Sequence, residues 1–360
     1  MTIVPLYGHT ALARQLLERD EHGALPSSLL FHGPRGVGKQ RLALWLGQAL
    51  LCAAGPGRQR PCGVCQSCRY AAELCHPDLR WVYPRPRLKD ADASAKEVDQ
   101  DYGEATAERV KAGGLYAAPS GSEAIFVATV RTIVHQAAMS PSIARRKVFV
   151  IGDAERMVPQ EGADAAANAF LKLLEEPPAD TTILLTSSEP AALLPTIRSR
   201  VVSVRVPALP ERDVLAFLAD PIVTAALDAD KGLPRGAVER ARLAAGAPGA
   251  LIGRGEQVAA DEAARRLLEA ATAARPVRFR VAFAQGGARA RGAYSDVLDA
   301  LTAALRERAR DAARRHDDRA ALGAARAVDG VERAKALAAG NVNPSLVTAA
   351  LLRELHAALR

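Results

Sequence analysis

The chain has 360 residues, 49% of them hydrophobic and 4% aromatic, with a formal net charge of +8. That length predicts two or three domains with cores of their own, and no run is long and apolar enough to span a bilayer. So few aromatics argue against base stacking on exposed rings as a main activity, while the basic balance admits nucleic acid or an acidic protein as partner. Alanine and arginine are abundant throughout, so part of the basicity is compositional.

The first residues, MTIVPLYGHT, lack the charged stretch and apolar core of an export signal, so a cytoplasmic location is expected. Leu29, Leu30 and Phe31 read as a short buried strand. Gly33-Pro34-Arg35-Gly36-Val37-Gly38-Lys39-Gln40 follows and matches the phosphate-loop pattern G-x-x-x-x-G-K. Leu42, Trp45, Leu46, Ala49 and Leu50 then fall on one helical stripe. In this setting Gly33, Gly36 and Gly38 let backbone N–H groups converge on phosphate oxygens, and Lys39 reaches the terminal phosphates. Gln40 breaks the pattern, because a Ser or Thr hydroxyl should follow the lysine and bind magnesium.

Cys62, Cys65 and Cys68 follow as C-x-x-C-x-x-C. In a reducing compartment this spacing favours metal over disulfide. A closed tetrahedral zinc site needs a fourth ligand, and Cys52, Cys75 and His76 are the candidates nearby. From Arg85 to Glu123 the chain is polar and irregular, which reads as an inserted mobile loop with little apolar surface to offset its ordering entropy.

Val127, Val130, Val134 and Ala138 predict a helix, Lys147 to Ile151 a buried strand, and Asn168 to Leu174 an amphipathic helix stopped by Pro177 and Pro178. Ile183 to Leu185 and Val201 to Val206 read as strands. Strands alternating with helices predict a parallel sheet wrapped by helices, an α/β domain over residues 1–206. Beyond Pro207 and Pro210, which mark a linker, the chain reads as all-α. Glu211 to Leu218 opens a helical region, and Leu298 to Arg315, Val331 to Ala339 and Ser345 to Leu359 are helices of a bundle. The arginines at 306, 308, 310, 314 and 315 are interleaved with acids and read as a solvated face.

The phosphate loop, the cysteine knot, His76-Pro77-Asp78, KVFVI, NAFLKLLEEPP and TIRSR together resemble the clamp-loader subunits of bacterial DNA polymerase III, members of the AAA+ superfamily. The resemblance covers nearly the whole chain and is strongest from about Leu29 to Pro207. It implies an AAA+ domain over 1–206, carrying a zinc module at about 52–75 and the insertion at about 85–123. It further implies a helical lid over 207–253 and a helical collar over 254–360. It selects Cys52, Cys62, Cys65 and Cys68 as the ligands of one structural zinc, leaving Cys75 over. Its implied partners are the gamma or tau and delta subunits in a hetero-oligomer and, through them, the sliding clamp and primer-template DNA.

Three departures from the family's ATPase pattern imply a pocket inactive in cis, with ATP binding weak or absent. Gln40 replaces the magnesium hydroxyl, Gly152-Asp153 stands where an active member carries Asp-Glu, and Gly249 stands where a phosphate-sensing arginine is placed. Ser199-Arg200 matches the family's Ser-Arg-Cys motif with Val201 for Cys, which implies that Arg200 is an arginine finger acting on a neighbour's ATP. Arg198 competes for that role, and pairing of Arg200 with an acid at the sheet edge is the plain alternative. The chain is thus expected to belong to a polymerase holoenzyme without polymerase or ATPase activity of its own. Two other readings are an active ATPase subunit of the same loader, and a nucleic-acid-binding zinc module on a vestigial nucleotide fold.

Overall fold

The computed structural model describes residues 2–55, 57–88, 93–119, 123–157, 164–284, 291–339 and 342–359. Its contacts divide into two compact units, residues 1–118 with 123–253, and 254–360 with 119–122.

The first unit is built on five parallel strands: β1 (Ser28–His32), β2 (Leu79–Val82), β3 (Lys147–Ile151), β4 (Thr181–Ser187) and β5 (Val202–Arg205). Their order is β2-β3-β4-β1-β5. β1, β3 and β4 are buried almost throughout, which is why their sequences are continuous apolar runs rather than alternating ones. β5 is an edge strand and mostly exposed. Leu29 is in register with Leu184 on one side and Val202 on the other. Chain order therefore reverses at β1, and the loop leaving its C-terminal end lies at the crevice where parallel α/β sheets place ligands.

Helices α1 (Thr10–Glu21), α2 (Lys39–Leu51), α3 (Gln66–Ala72), α4 (Ala95–Lys111), α5 (Val127–Ala138), α6 (Asp164–Glu175) and the short α7 (Pro195–Arg198) connect and flank the strands. The expectation of a mobile, irregular loop over 85–123 is corrected by α4. Ser94 and Glu97 form a reciprocal capping box that starts this helix. Val98, Tyr102 and Ala105 then bury one stripe, and the Tyr102 hydroxyl donates to Tyr83 O at 2.7 Å. Near its end the Arg109 guanidinium lies 3.3 Å from the Tyr83 ring centroid, 4.1 Å from that of Tyr116 and 4.9 Å from that of Trp81. The polar composition misled because these anchors are few and widely spaced. Residues 89–92 and 120–122 of the stretch lie outside the described residues.

The strand β2 was also unforeseen. It is held in place by Asp78, just before it, whose carboxylate accepts the backbone N–H groups of Ser142 (2.6 Å), Ile143 (2.8 Å) and Ala144 (2.8 Å). Burial alone would push this carboxyl up, but the three donors together hold it below the usual carboxylate range.

The same unit continues through α8 (Glu211–Leu218), α9 (Pro221–Asp228) and α10 (Ala237–Ala244). They share a small core of Leu209, Val214, Leu218, Val223, Leu227 and Leu251.

In the second unit, α11 (Arg254–Thr272), α12 (Arg275–Phe283), α13 (Arg291–Arg314), α14 (Asp318–Ala339) and α15 (Pro344–Ala358) pack around Leu267, Leu298, Leu301, Leu305, Val331, Leu351, Leu352 and Leu355. The helices expected at 298–315, 331–339 and 345–359 correspond to α13, α14 and α15, the first and third ending one residue sooner and the first two starting well before their apolar spacing shows.

Candidate functional site: a filled phosphate loop and a cysteine cluster

The phosphate loop joins β1 to α2, and its three glycines have positive φ, at 157°, 82° and 95° for Gly33, Gly36 and Gly38. At Gly33 and Gly36 close approach adds to the requirement. A Cβ on Gly33 would overlap Val206 O, and one on Gly36 would overlap Ala250 N. The turn Pro248–Leu251 thus lies directly on the loop, and Gly249 N donates to Gly36 O at 2.9 Å. A Cβ on Gly249 would meet Gly36 O at 2.9 Å and its Cα at 3.2 Å, so the backbones are in contact there.

Lys39 is buried and folds back on its own loop. Its Nζ donates to Gly33 O (3.0 Å), Pro34 O (2.8 Å) and Ser188 Oγ (2.9 Å). Burial pushes its pKa down to about 8, against the pull of Asp153 and Glu155. Ser188 follows β4 and was missed by the sequence reading. Its N–H donates to Glu155 Oε1 at 2.9 Å, leaving Glu155 Oε2 buried without a partner among the described residues.

Gln40 is also buried and sits where a compact hydroxyl would face magnesium. Its Nε2 donates to Asp153 Oδ2 at 2.9 Å, and its Oε1 accepts from Trp81 Nε1 at 2.9 Å. The amide is satisfied at both ends by protein. A Cβ on Gly152 would overlap the Gln40 amide, so the glutamine in this hydrogen-bonded position requires glycine after β3. Asp153 adopts φ 47°, ψ 52°, an uncommon conformation that Asp tolerates better than most residues. Its carboxyl is pushed above the usual range by burial and by Glu155. Trp81 carried no sequence signal beyond being an isolated large residue in a short apolar run.

The cysteine cluster lies at the other end of α2. Cys52 caps that helix, Cys65 caps α3 by accepting from Cys68 N, and Cys62 and Cys68 complete the set. The four sulfurs lie within 4.8 Å of one another, with Cys52 and Cys65 at 4.0 Å and Cys62 and Cys68 at 3.9 Å. A tetrahedral zinc with bonds of about 2.3 Å sets its sulfurs about 3.8 Å apart, so the arrangement fits a closed four-thiolate site. Backbone N–H groups of Ala54 and Cys62 point at Cys52 Sγ, and that of Cys65 at Cys62 Sγ, each at 3.4 Å. Such donors favour the thiolate; those facing Cys62 pull its pKa down to about 6. Cys75 is outside the group and exposed. His76 turns its Nδ1 to Asp78 N at 3.0 Å.

Arg200 follows α7 at the edge of the sheet, its side chain 28% exposed. It pairs with Glu175 at the end of α6, and its Nη1 donates to Thr196 O at 2.8 Å. The acid pairing considered from sequence is therefore present in the isolated chain. Glu175 is itself 44% exposed, so the pair is solvated and readily exchanged. Arg198 is exposed.

Residues 8–210 match the family described as DNA polymerase III, delta subunit. Among curated relatives, the DNA polymerase III subunit delta' of Pseudomonas aeruginosa is 33% identical over 192 residues, covering 53% of this chain and 45% of that protein. The subunit delta' of Escherichia coli is 28% identical over 225 residues, 62% of this chain and 53% of that one. The subunit gamma/tau of Mycobacterium tuberculosis is 32% identical over 197 residues, 55% of this chain and 27% of that one. The chain thus spans about half the length, or less, of the curated relatives it matches. A crystal structure of a DNA polymerase III gamma subunit-related protein from Thermotoga maritima aligns with 96% of this chain and all of that one, at 18% identity and a TM-score of 0.36.

Proposed function

Because the chain belongs to the DNA polymerase III, delta subunit family, a family of clamp-loader subunits in DNA replication, we propose that it is the non-catalytic, stator-like delta-prime member of its loader. The observation that carries this reading is the Gln40 amide, buried between Trp81 and Asp153 and backed by Gly152. Phosphoryl transfer rests on placing a metal and charges around the phosphate. Here the metal hydroxyl is an engaged amide, the metal carboxylate is a glycine, and the phosphate-sensing arginine is Gly249, whose backbone closes the loop. A nucleotide would have to displace the Lys39 contacts and the Pro248–Leu251 turn, which supports weak or absent ATP binding.

In the assembled loader the chain holds its shape while gamma or tau neighbours turn over ATP, and it supplies Arg200 to one of their sites. Guanidinium suits that task, being permanently charged and able to meet two phosphate oxygens. In this reading residues 207–253 form the lid, residues 254–360 join the collar, and one zinc on Cys52, Cys62, Cys65 and Cys68 stabilises the N-terminal domain. Delta, the sliding clamp and primer-template DNA are met through the complex.

The test is ATP turnover by the pure chain and by the reconstituted loader. The chain alone should show none above background, and Arg200→Ala should leave assembly intact. That variant should lower clamp-dependent turnover at one neighbouring site by about ten- to a thousandfold, unrescued by Arg200→Lys. Magnesium-dependent hydrolysis by the pure chain, lost in Lys39→Ala, would instead make it an active ATPase subunit.

A further inference from the structure

The second unit carries a surface that neither the pocket nor the cysteine cluster explains. Helix α12 reads Arg-Pro-Val-Arg-Phe-Arg-Val-Ala-Phe and contains no acid. Ala282 is fully buried and Val281 packs partly on the helical core, so the helix is anchored through that side. Its other side exposes Phe279 (45%) and Phe283 (63%), two of only seven phenylalanines in the chain. The two rings are nearly parallel, 15° between planes with centroids 6.4 Å apart. The Arg275 guanidinium lies 5.6 Å from the Phe279 centroid. Residues 275, 279 and 283 are spaced by four and share one face, with Arg280 beside them. Arg275 and Arg280 are exposed and make no ion pair with a described residue, while Arg278 donates to Ala273 O at 3.0 Å. Residues 254–360 hold 19 Lys and Arg against 13 Asp and Glu, and so six of the eight net positive charges of the chain.

We propose that this face of α12 is a contact for single-stranded nucleic acid, with bases stacking on Phe279 and Phe283 and phosphates meeting Arg275 and Arg280. Flat aromatic faces flanked by cations, with no acid among them, match the two requirements of a single strand: a π surface for each base and positive charge along the backbone. The site acts in sequence-independent binding, since stacking accepts every base. It does not depend on the state of the phosphate loop.

The test is fluorescence anisotropy of the full-length, zinc-loaded chain with a labelled oligodeoxythymidine about 20 nucleotides long, against a duplex of equal length. Single strand should be preferred. Phe279→Ala with Phe283→Ala should weaken binding at least about tenfold, and the paired Tyr replacements should keep it within about twofold. Arg275→Ala with Arg280→Ala should weaken it and reduce the log–log salt slope by about 1.4, the share of two phosphates on a single strand. All three variants should melt as wild type. The proposal is overturned if no binding is seen at about 50 mM salt, if the paired Ala variant binds as wild type, or if removing zinc abolishes binding that the α12 variants retain. It is equally overturned if the paired Ala variant keeps the oligonucleotide but drops out of the loader, which would make α12 a protein interface. Each outcome leaves the ATPase result of the preceding section unaffected.

Discussion

At the scale of single residues, the glutamine in the phosphate loop and the glycine after β3 form one unit. The sequence shows both departures but not their dependence, because the 111 positions between them give no hint that they touch. Gly152→Ala should destabilise the chain by about 2 kcal/mol through overpacking on the Gln40 amide. The same change in a Gln40→Ser background should cost much less. A double-mutant cycle by urea unfolding checks this, and additive single effects would refute the contact. Asp78 gives a pH-dependent counterpart. Its carboxyl is held low by three backbone donors, so its contribution is complete above the ordinary carboxylate pKa of about 4 and is lost as pH falls below it. Asp78→Asn should be less stable by about 3 kcal/mol at neutral pH, and the difference should shrink on acidification. Thermal unfolding from neutral to acidic pH measures it. Arg200, by contrast, should be nearly neutral to stability when replaced by Ala, below about 1 kcal/mol, since its partner Glu175 is half in water.

At the scale of elements, legibility followed the density of apolar signal. β1, β3 and β4 could be read because they are buried and continuous, and α2 because its stripe follows a glycine loop. Helix α4 could not, because its burial rests on three residues and a cation held between rings. Its start was nonetheless written in the sequence as Ser94 and Glu97 at capping-box spacing. Ser94→Ala should cost about 1 kcal/mol, a loss that a mobile loop would not show, with chemical denaturation as the measurement. The cysteine spacing told of a metal knot but left the fourth ligand open on residues alone, and the structure brings Cys52 rather than Cys75 to the other three. Cys52→Ser should release the metal, which elemental analysis should find at about one zinc per wild-type chain, while Cys75→Ser should keep it. The opposite pattern would reassign the ligand.

At the scale of the whole molecule, the prolines at 207 and 210 mark the change from an α/β region to an all-α one, whereas contacts divide the chain after residue 253. Residues 207–253 share their contacts with the first unit, and residues 254–360 build a separate core of leucine, valine and alanine. The isolated segment 254–360 should therefore melt cooperatively with helical circular dichroism, and a non-cooperative melt would show that its core is incomplete. The engagement of Gln40 with Gly152 has a consequence for descent. A lineage holding this pair cannot place a carboxylate at position 152 while the glutamine keeps its position. Nor does exchanging the glutamine alone restore the metal, since it merely orphans Trp81 and Asp153. Either first step is a loss with no immediate return. On the proposed reading of an inactive pocket, the order in which substitutions would have to occur is enough to keep it so, and selection against hydrolysis is not needed to preserve it.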